Sequence, residues 1–326
     1  MQKNTLWEKL STDEISFCHR IGQIPRTFWA ALAGALVCGI LAHGMGLFNK
    51  LSWHDDIFSL FMTGSTIESG RWMLYVLAEI ERFFFGNGYF SLPLVNGMFA
   101  LVCIGMAAGL MMVHFRIRSL TLSVLLGAVM TAFPVITALF GFMFTIHYYM
   151  HAMTMLVTGC ILICDEKNRW KHALGVLICG CAIGVYQAFV PMMLMMLMID
   201  LMKKLIQREE KSGYYLREAL RLLFCAAAVM AVYFAGSRYF LWSQNVQLDD
   251  YLGINSVSST PLGIYLTGVG TAYREYFYPS HFVTWDMYPV STVNIYRLML
   301  ILDVVMGTVH VIRVWKKSRQ IGRAHV

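Results

Sequence analysis

The sequence predicts an all-α, polytopic membrane bundle, and three observations carry that prediction. Of 326 residues, 58% are hydrophobic against 14% charged, and the mean hydropathy is +0.58. Apolar runs of about 20 residues, enough to cross ~30 Å of hydrocarbon, recur along the whole chain instead of gathering at one end. The Lys and Arg residues fall in short clusters between those runs, as cytoplasmic loops of membrane proteins require. Lipid offers no water to backbone N–H and C=O groups, so each run must close its hydrogen bonds within a helix. A soluble domain built around one core is excluded by the same composition.

The elements follow in order. Residues 1–27 are mostly polar and read as a cytoplasmic tail. The first apolar run, 28–48, is followed by no A-x-A-like cleavage site, so it is expected to be a retained span and not a removed signal peptide. Residues 50–90 form a long outer loop, and 92–113 returns to the basic His114-Phe115-Arg116-Ile117-Arg118. Run 120–140 goes out, and 146–164 comes back to the charged stretch Asp165 to His172. Residues 173–202 are too long for one ordinary span and have basic flanks on both sides. Two short helices meeting at Tyr186 to Pro191, with proline breaking the ladder, keep both flanks inside. Run 222–242 then exits, 243–289 forms a second long outer segment, and 290–312 re-enters before Arg313-Val314-Trp315-Lys316-Lys317. The result is about eight spans, with Lys and Arg concentrated on the segments assigned to the inside.

Several function classes drop out. Seven of the eight cysteines lie in apolar runs and no C-x-x-C pair occurs, so thiols are expected to pack as small soft hydrophobes. The net charge of +7 resides between spans, which is membrane topology and not a nucleic-acid footprint. There is no P-loop, no GxGxxG after a strand, no HExxH and no GxSxG. Without an internal repeat, residues 28–319 read as one membrane domain. The terminal Ile321-Gly322-Arg323-Ala324-His325-Val326 matches the translation of a common sequencing-library adapter. The expectation is that 320–326 is foreign and that the natural chain, with further spans, was cut near Arg319.

The chemistry-bearing residues collect on the outer segments. In Lys50-Leu51-Ser52-Trp53-His54-Asp55-Asp56-Ile57-Phe58, two adjacent carboxylates stand at the edge of the first span. A carboxylate beside apolar walls and a second carboxylate holds protons more tightly and can serve as a general base toward a hydroxyl. The alternative use of such a pair is to cap a surface helix. Direct displacement at an anomeric carbon needs one such base and, for a phosphate leaving group, positive charge; Arg71, Arg82, Arg274 or protonated His54 supplies it. Aromatic residues through the loop, Trp72 and Tyr75 among them, suit amphipathic helices at the membrane surface. His147 and His151 share a helical face four residues apart but lack a third ligand, so belt anchoring or contact with sugar or phosphate is expected before metal binding. No cofactor is identified and a divalent metal is left open. Tyr186 and Gln187, polar at membrane depth, line a cavity or pair with a neighbouring helix.

Three stretches carry a resemblance: Asp55-Asp56 after the first span, Ser69-Gly70-Arg71-Trp72 in the same loop, and Gly184-Val185-Tyr186-Gln187-Ala188-Phe189 in the middle membrane region. In their order and spacing the chain resembles the bacterial integral-membrane glucosyltransferases of the Gtr type II kind, within the C-type glycosyltransferase superfamily. The resemblance implies a polyprenyl-phosphate-linked sugar donor, glucose in the best-known cases. It implies a glycan acceptor such as O-antigen and transfer on the extracytoplasmic side of the bacterial inner membrane, and direct displacement at the anomeric carbon makes that transfer inverting. The base of the first outer loop maps onto Asp55 or Asp56. Substrate contacts are expected from His54, Arg71, Trp72, His147, Tyr186, Gln187 and, in the second outer segment, Arg274. The rival expectations are a transporter or lipid-linked sugar flippase, which usually shows repeated halves, and a non-catalytic assembly protein.

Overall fold

The computed structural model describes residues 23–49, 51, 66–86, 91–166, 168–207, 212–249 and 260–277, with short helical stretches at 297–299, 301–302, 304–309 and 312. Every regular element among the described residues is helical. His54, Asp55 and Asp56 lie outside the described residues, as do most of the first outer loop's acidic half and both chain ends.

Among the described residues four helices are long and apolar enough to cross a membrane: α1 (Arg26–Phe48), α3 (Pro93–His114), α6 (Ile146–Cys164) and α9 (Ser212–Ser243). Between them lie α2 (Trp72–Phe85), α4 (Leu120–Ala132), α5 (Pro134–Leu139), α7 (Arg169–Val185) and α8 (Val190–Gln207). At 1.5 Å per residue the 23 residues of α1 span about 34 Å, enough for the hydrocarbon core.

The run 120–140 is two helices, not one. Phe133 precedes a proline, which disfavours the helical region for it, and it adopts φ −60°, ψ 135°, ending α4 and letting Pro134 open α5. The stretch 173–202 divides as its length demands, but the break is earlier than the proline. Tyr186 is extended (φ −152°, ψ 110°), a 3-10 turn covers Gln187–Phe189, and α8 starts at Val190. Pro191 sits in the first turn of α8, where the missing N–H would have had no helical partner anyway.

Neighbouring helices form a continuous wall: α4 on α1, α1 on α3, α3 on α6, α6 on α7 and α7 on α9, with α8 against α6 and α9. The α1–α4 crossing is backbone to backbone. A Cβ at Gly127 would stand 2.1 Å from the Ala31 carbonyl oxygen and one at Gly34 2.3 Å from that of Val124. Small residues are how membrane helices approach when lipid supplies no hydrophobic drive for association. Farther along, His43 donates to the Thr131 carbonyl oxygen at 3.1 Å and its ring stacks on Phe140 at 3.9 Å. The core proper runs through Leu101, Ile104, Met150, Leu156, Ile163 and Ile183, all fully buried.

At the end of the bundle reached by the C-termini of α3, α6 and α8, charges expected to lie in basic loops are drawn between helices. Lys204 Nζ lies 2.8 Å from Asp200, 2.6 Å from Glu218 and 3.0 Å from Glu166. Arg221 grips Glu218 through two donors at 2.7 and 2.8 Å and donates to the Ile163 carbonyl oxygen. His114 meets the other oxygen of Asp200 at 3.1 Å. These groups tie α3, α6, α8 and α9 together.

Residues 250–326 form a separate compact unit. Within it α10 (Leu262–Phe277) is the longest described helix.

Candidate functional site

At the opposite end, where α6 begins, α2 and the turn before it dock onto α7 and α9. The turn closes on itself: Gly70 N–H donates to the Ile67 oxygen at 2.9 Å and Arg71 N–H to the Thr66 oxygen at 2.8 Å. Gly70 has φ +74°, a left-handed conformation that costs glycine nothing. It also lies so close that a Cβ would stand 2.7 Å from the Tyr233 hydroxyl and 2.9 Å from Gln187 Nε2. Gln187, released from helix by the break at Tyr186, donates to the Ser69 carbonyl oxygen at 2.8 Å and to the Tyr233 hydroxyl at 3.2 Å.

Trp72 follows. Its indole N–H donates to the Tyr233 carbonyl oxygen at 3.1 Å, and its ring stacks on Phe240. The ring fits a slot between α7 and α9 that exists only because both walls are glycine. Cβ atoms at Gly184 and Gly236 would stand 2.6 and 2.4 Å from the indole Cε2.

Those contacts aim Arg71. Its guanidinium donates to the Tyr149 hydroxyl at 3.1 Å and lies 5.4 Å from the Tyr186 ring centre and 6.0 Å from that of Tyr149. The two tyrosine rings stack on each other at 4.6 Å. Among the described residues Arg71 has no carboxylate partner, and its Nε is buried without a hydrogen bond. A delocalised cation held by π faces and one neutral hydroxyl has the chemistry to meet an anion.

His147 stands at the start of α6, two positions before Tyr149, 3.6 Å from Glu81 on α2 and with its ring tilted against that of Tyr148 at 3.9 Å. Thus Arg71, Trp72, Tyr186, Gln187 and His147 are gathered at one end of the bundle. Ser69 to Trp72 and Gly184 to Phe189 are each other's docking surfaces. Arg274 is exposed on α10 in the other unit.

Sequence reasoning passed over Tyr149, Glu81, Tyr233 and Gly236. Tyr149 had a signal, since it sits between the two histidines of His147-Tyr148-Tyr149-Met150-His151. Gly236 had none, because a helix glycine announces its partner only once the partner is in place.

The one group of three metal-type ligands among the described residues is His114, Cys164 and Asp200, at the far end. The Asp200 carboxylate there is already engaged by His114 and Lys204, so a lysine ammonium supplies the positive charge. Among the described residues no such three-ligand group includes His147 and His151.

Fold and site together define a helical membrane protein with an arginine framed by tyrosines at one end of the bundle. The family model for glucosyl transferase GtrII matches residues 44–324, and the chain belongs to that family, which makes it a membrane glucosyltransferase. Neither the curated proteins nor the solved structures compared with it give a match.

Proposed function

We propose that the protein moves glucose from a polyprenyl phosphate to a cell-envelope glycan such as O-antigen, with inversion, on the extracytoplasmic face of the bacterial inner membrane. The eight-span path with residues 50–90 outside belongs to the same proposal. The supporting observation is Arg71: a part-buried guanidinium, unpaired with any described carboxylate and framed by Tyr149 and Tyr186, suits a lipid phosphate.

In this reading the acceptor hydroxyl attacks the anomeric carbon while Asp55 or Asp56 takes its proton. The bond from that carbon to the phosphate oxygen breaks on the opposite face, and the leaving polyprenyl phosphate carries away the electron pair. A phosphate monoester anion needs no proton to leave, but the growing charge on its oxygens must be met, and that is the role of Arg71. Trp72 and Gln187 hold the turn that carries it. Tyr186 supports its face, and His147, His54 and Arg274 contact substrate.

The test uses membranes containing the full chain and labelled polyprenyl-phosphate glucose. Asp55→Asn and Asp56→Asn are assayed separately, and transfer is expected to collapse in one of them. Wild-type rates in both would remove the proposed base. Uptake of the lipid-linked sugar with no transfer in the wild type would favour a flippase.

A further inference from the structure

The contact between Glu81 and His147 is unfinished. Their side chains are only 16% and 12% exposed, yet at 3.6 Å they are too far apart for a hydrogen bond. Glu81 Oε2 and both ring nitrogens of His147 are buried with no hydrogen-bond partner. Leaving such an atom unpaired forfeits its hydration with nothing in return. Groups that touch without satisfying each other are best completed by a third party carrying donors and acceptors. A carboxylate oxygen and an imidazole nitrogen side by side are the groups that take vicinal hydroxyls of a sugar.

Distance decides which sugar. Arg71 stands just before α2 and Glu81 lies nine residues past Trp72 on it, about 13–14 Å of helical rise. On α6, the partners of these two residues, His147 and Tyr149, are two positions apart and so project to nearly opposite sides. A hexose bonded directly to a phosphate at Arg71 does not extend that far, whereas a residue of the acceptor glycan does.

We propose that Glu81 and His147 form an acceptor-sugar subsite, an inference that rests on the transferase reading above. Glu81 holds one hydroxyl as acceptor, His147 a second, and together they set which acceptor residue is presented to the transferred glucose.

The experiment measures both Michaelis constants in membranes of the full chain, with radiolabelled polyprenyl-phosphate glucose as donor and purified O-polysaccharide of the host cell as acceptor. Glu81→Gln and His147→Gln are each expected to raise the acceptor KM about tenfold, the loss of one hydrogen bond. Donor KM is expected to stay within about twofold of wild type. A purely structural pair would lower the amount of folded enzyme and leave both constants unchanged, and that result overturns the proposal. So does a rise in donor KM with acceptor KM unchanged. Should the wild type show no transfer from this donor, the transferase reading fails separately. The subsite is then read from the thermal shift that the same polysaccharide produces in the purified protein. A shift lost in Glu81→Gln upholds it; a shift equal in both proteins, or absent from both, overturns it.

Discussion

Substituting Gly236 by alanine is expected to disable the site from a position that touches no substrate. The new Cβ would stand 2.4 Å from the Trp72 Cε2, where carbon atoms rest at about 3.5–4.0 Å, so the overlap is more than 1 Å. The indole has no room to retreat. Gly184 closes the other wall, Phe240 covers one ring face, and the indole N–H is committed to the Tyr233 carbonyl oxygen. Overpacking of this kind costs about 1–3 kcal/mol, and loss of the indole hydrogen bond adds about 1 kcal/mol. Arg71 precedes Trp72 directly, so a shift of about 1 Å moves the guanidinium off its tyrosines. Misplacement on that scale lowers a rate about 10²-fold. The assay pairs thermal unfolding of the detergent-purified protein with transfer in membranes. Gly46→Ala is the control, since a Cβ there meets nothing within 4 Å and alanine favours helix by up to about 1 kcal/mol. Wild-type stability and transfer in Gly236→Ala would refute the slot.

Two further outcomes follow from the same contacts. Arg71→Ala is expected to lose at least about 10²-fold in transfer, and Arg71→Lys to recover only part of it, because an ammonium keeps the charge but not the planar face that rests on Tyr186. Equal rates for arginine and lysine would mean that charge alone suffices. Lys204→Met leaves Asp200 and Glu218, 4% and 5% exposed, without the ammonium that bridges them; unfolding measurements should show a loss of about 3–5 kcal/mol, and a neutral result would mean that water reaches the pair.

Hydropathy, read locally, was sufficient for the helical class, for the bounds of α6 and, within two residues, for those of α1 and α3. It also required a break within 173–202. These are properties of consecutive residues facing lipid, and lipid forces each segment to settle its own backbone hydrogen bonds. Proline was the less reliable guide. Pro134 splits a run that hydropathy joins, whereas Pro191 fits quietly inside a first turn and leaves the break to Tyr186.

Pairings between distant segments followed a different logic. Ser69-Gly70-Arg71-Trp72 and Gly184-Val185-Tyr186-Gln187 each carry polar and small residues, but neither stretch says that one receives the other. Gly236 and Tyr233, which complete the slot, look like ordinary members of an apolar helix. Lys204 and Glu218 likewise read as loop charges until the helix ends converge. The sequence by itself determined a membrane-spanning helical protein and nominated Arg71, Trp72, Tyr186, Gln187 and His147. Only the tertiary structure brought them to one place, because burial and partnership depend on which helices become neighbours.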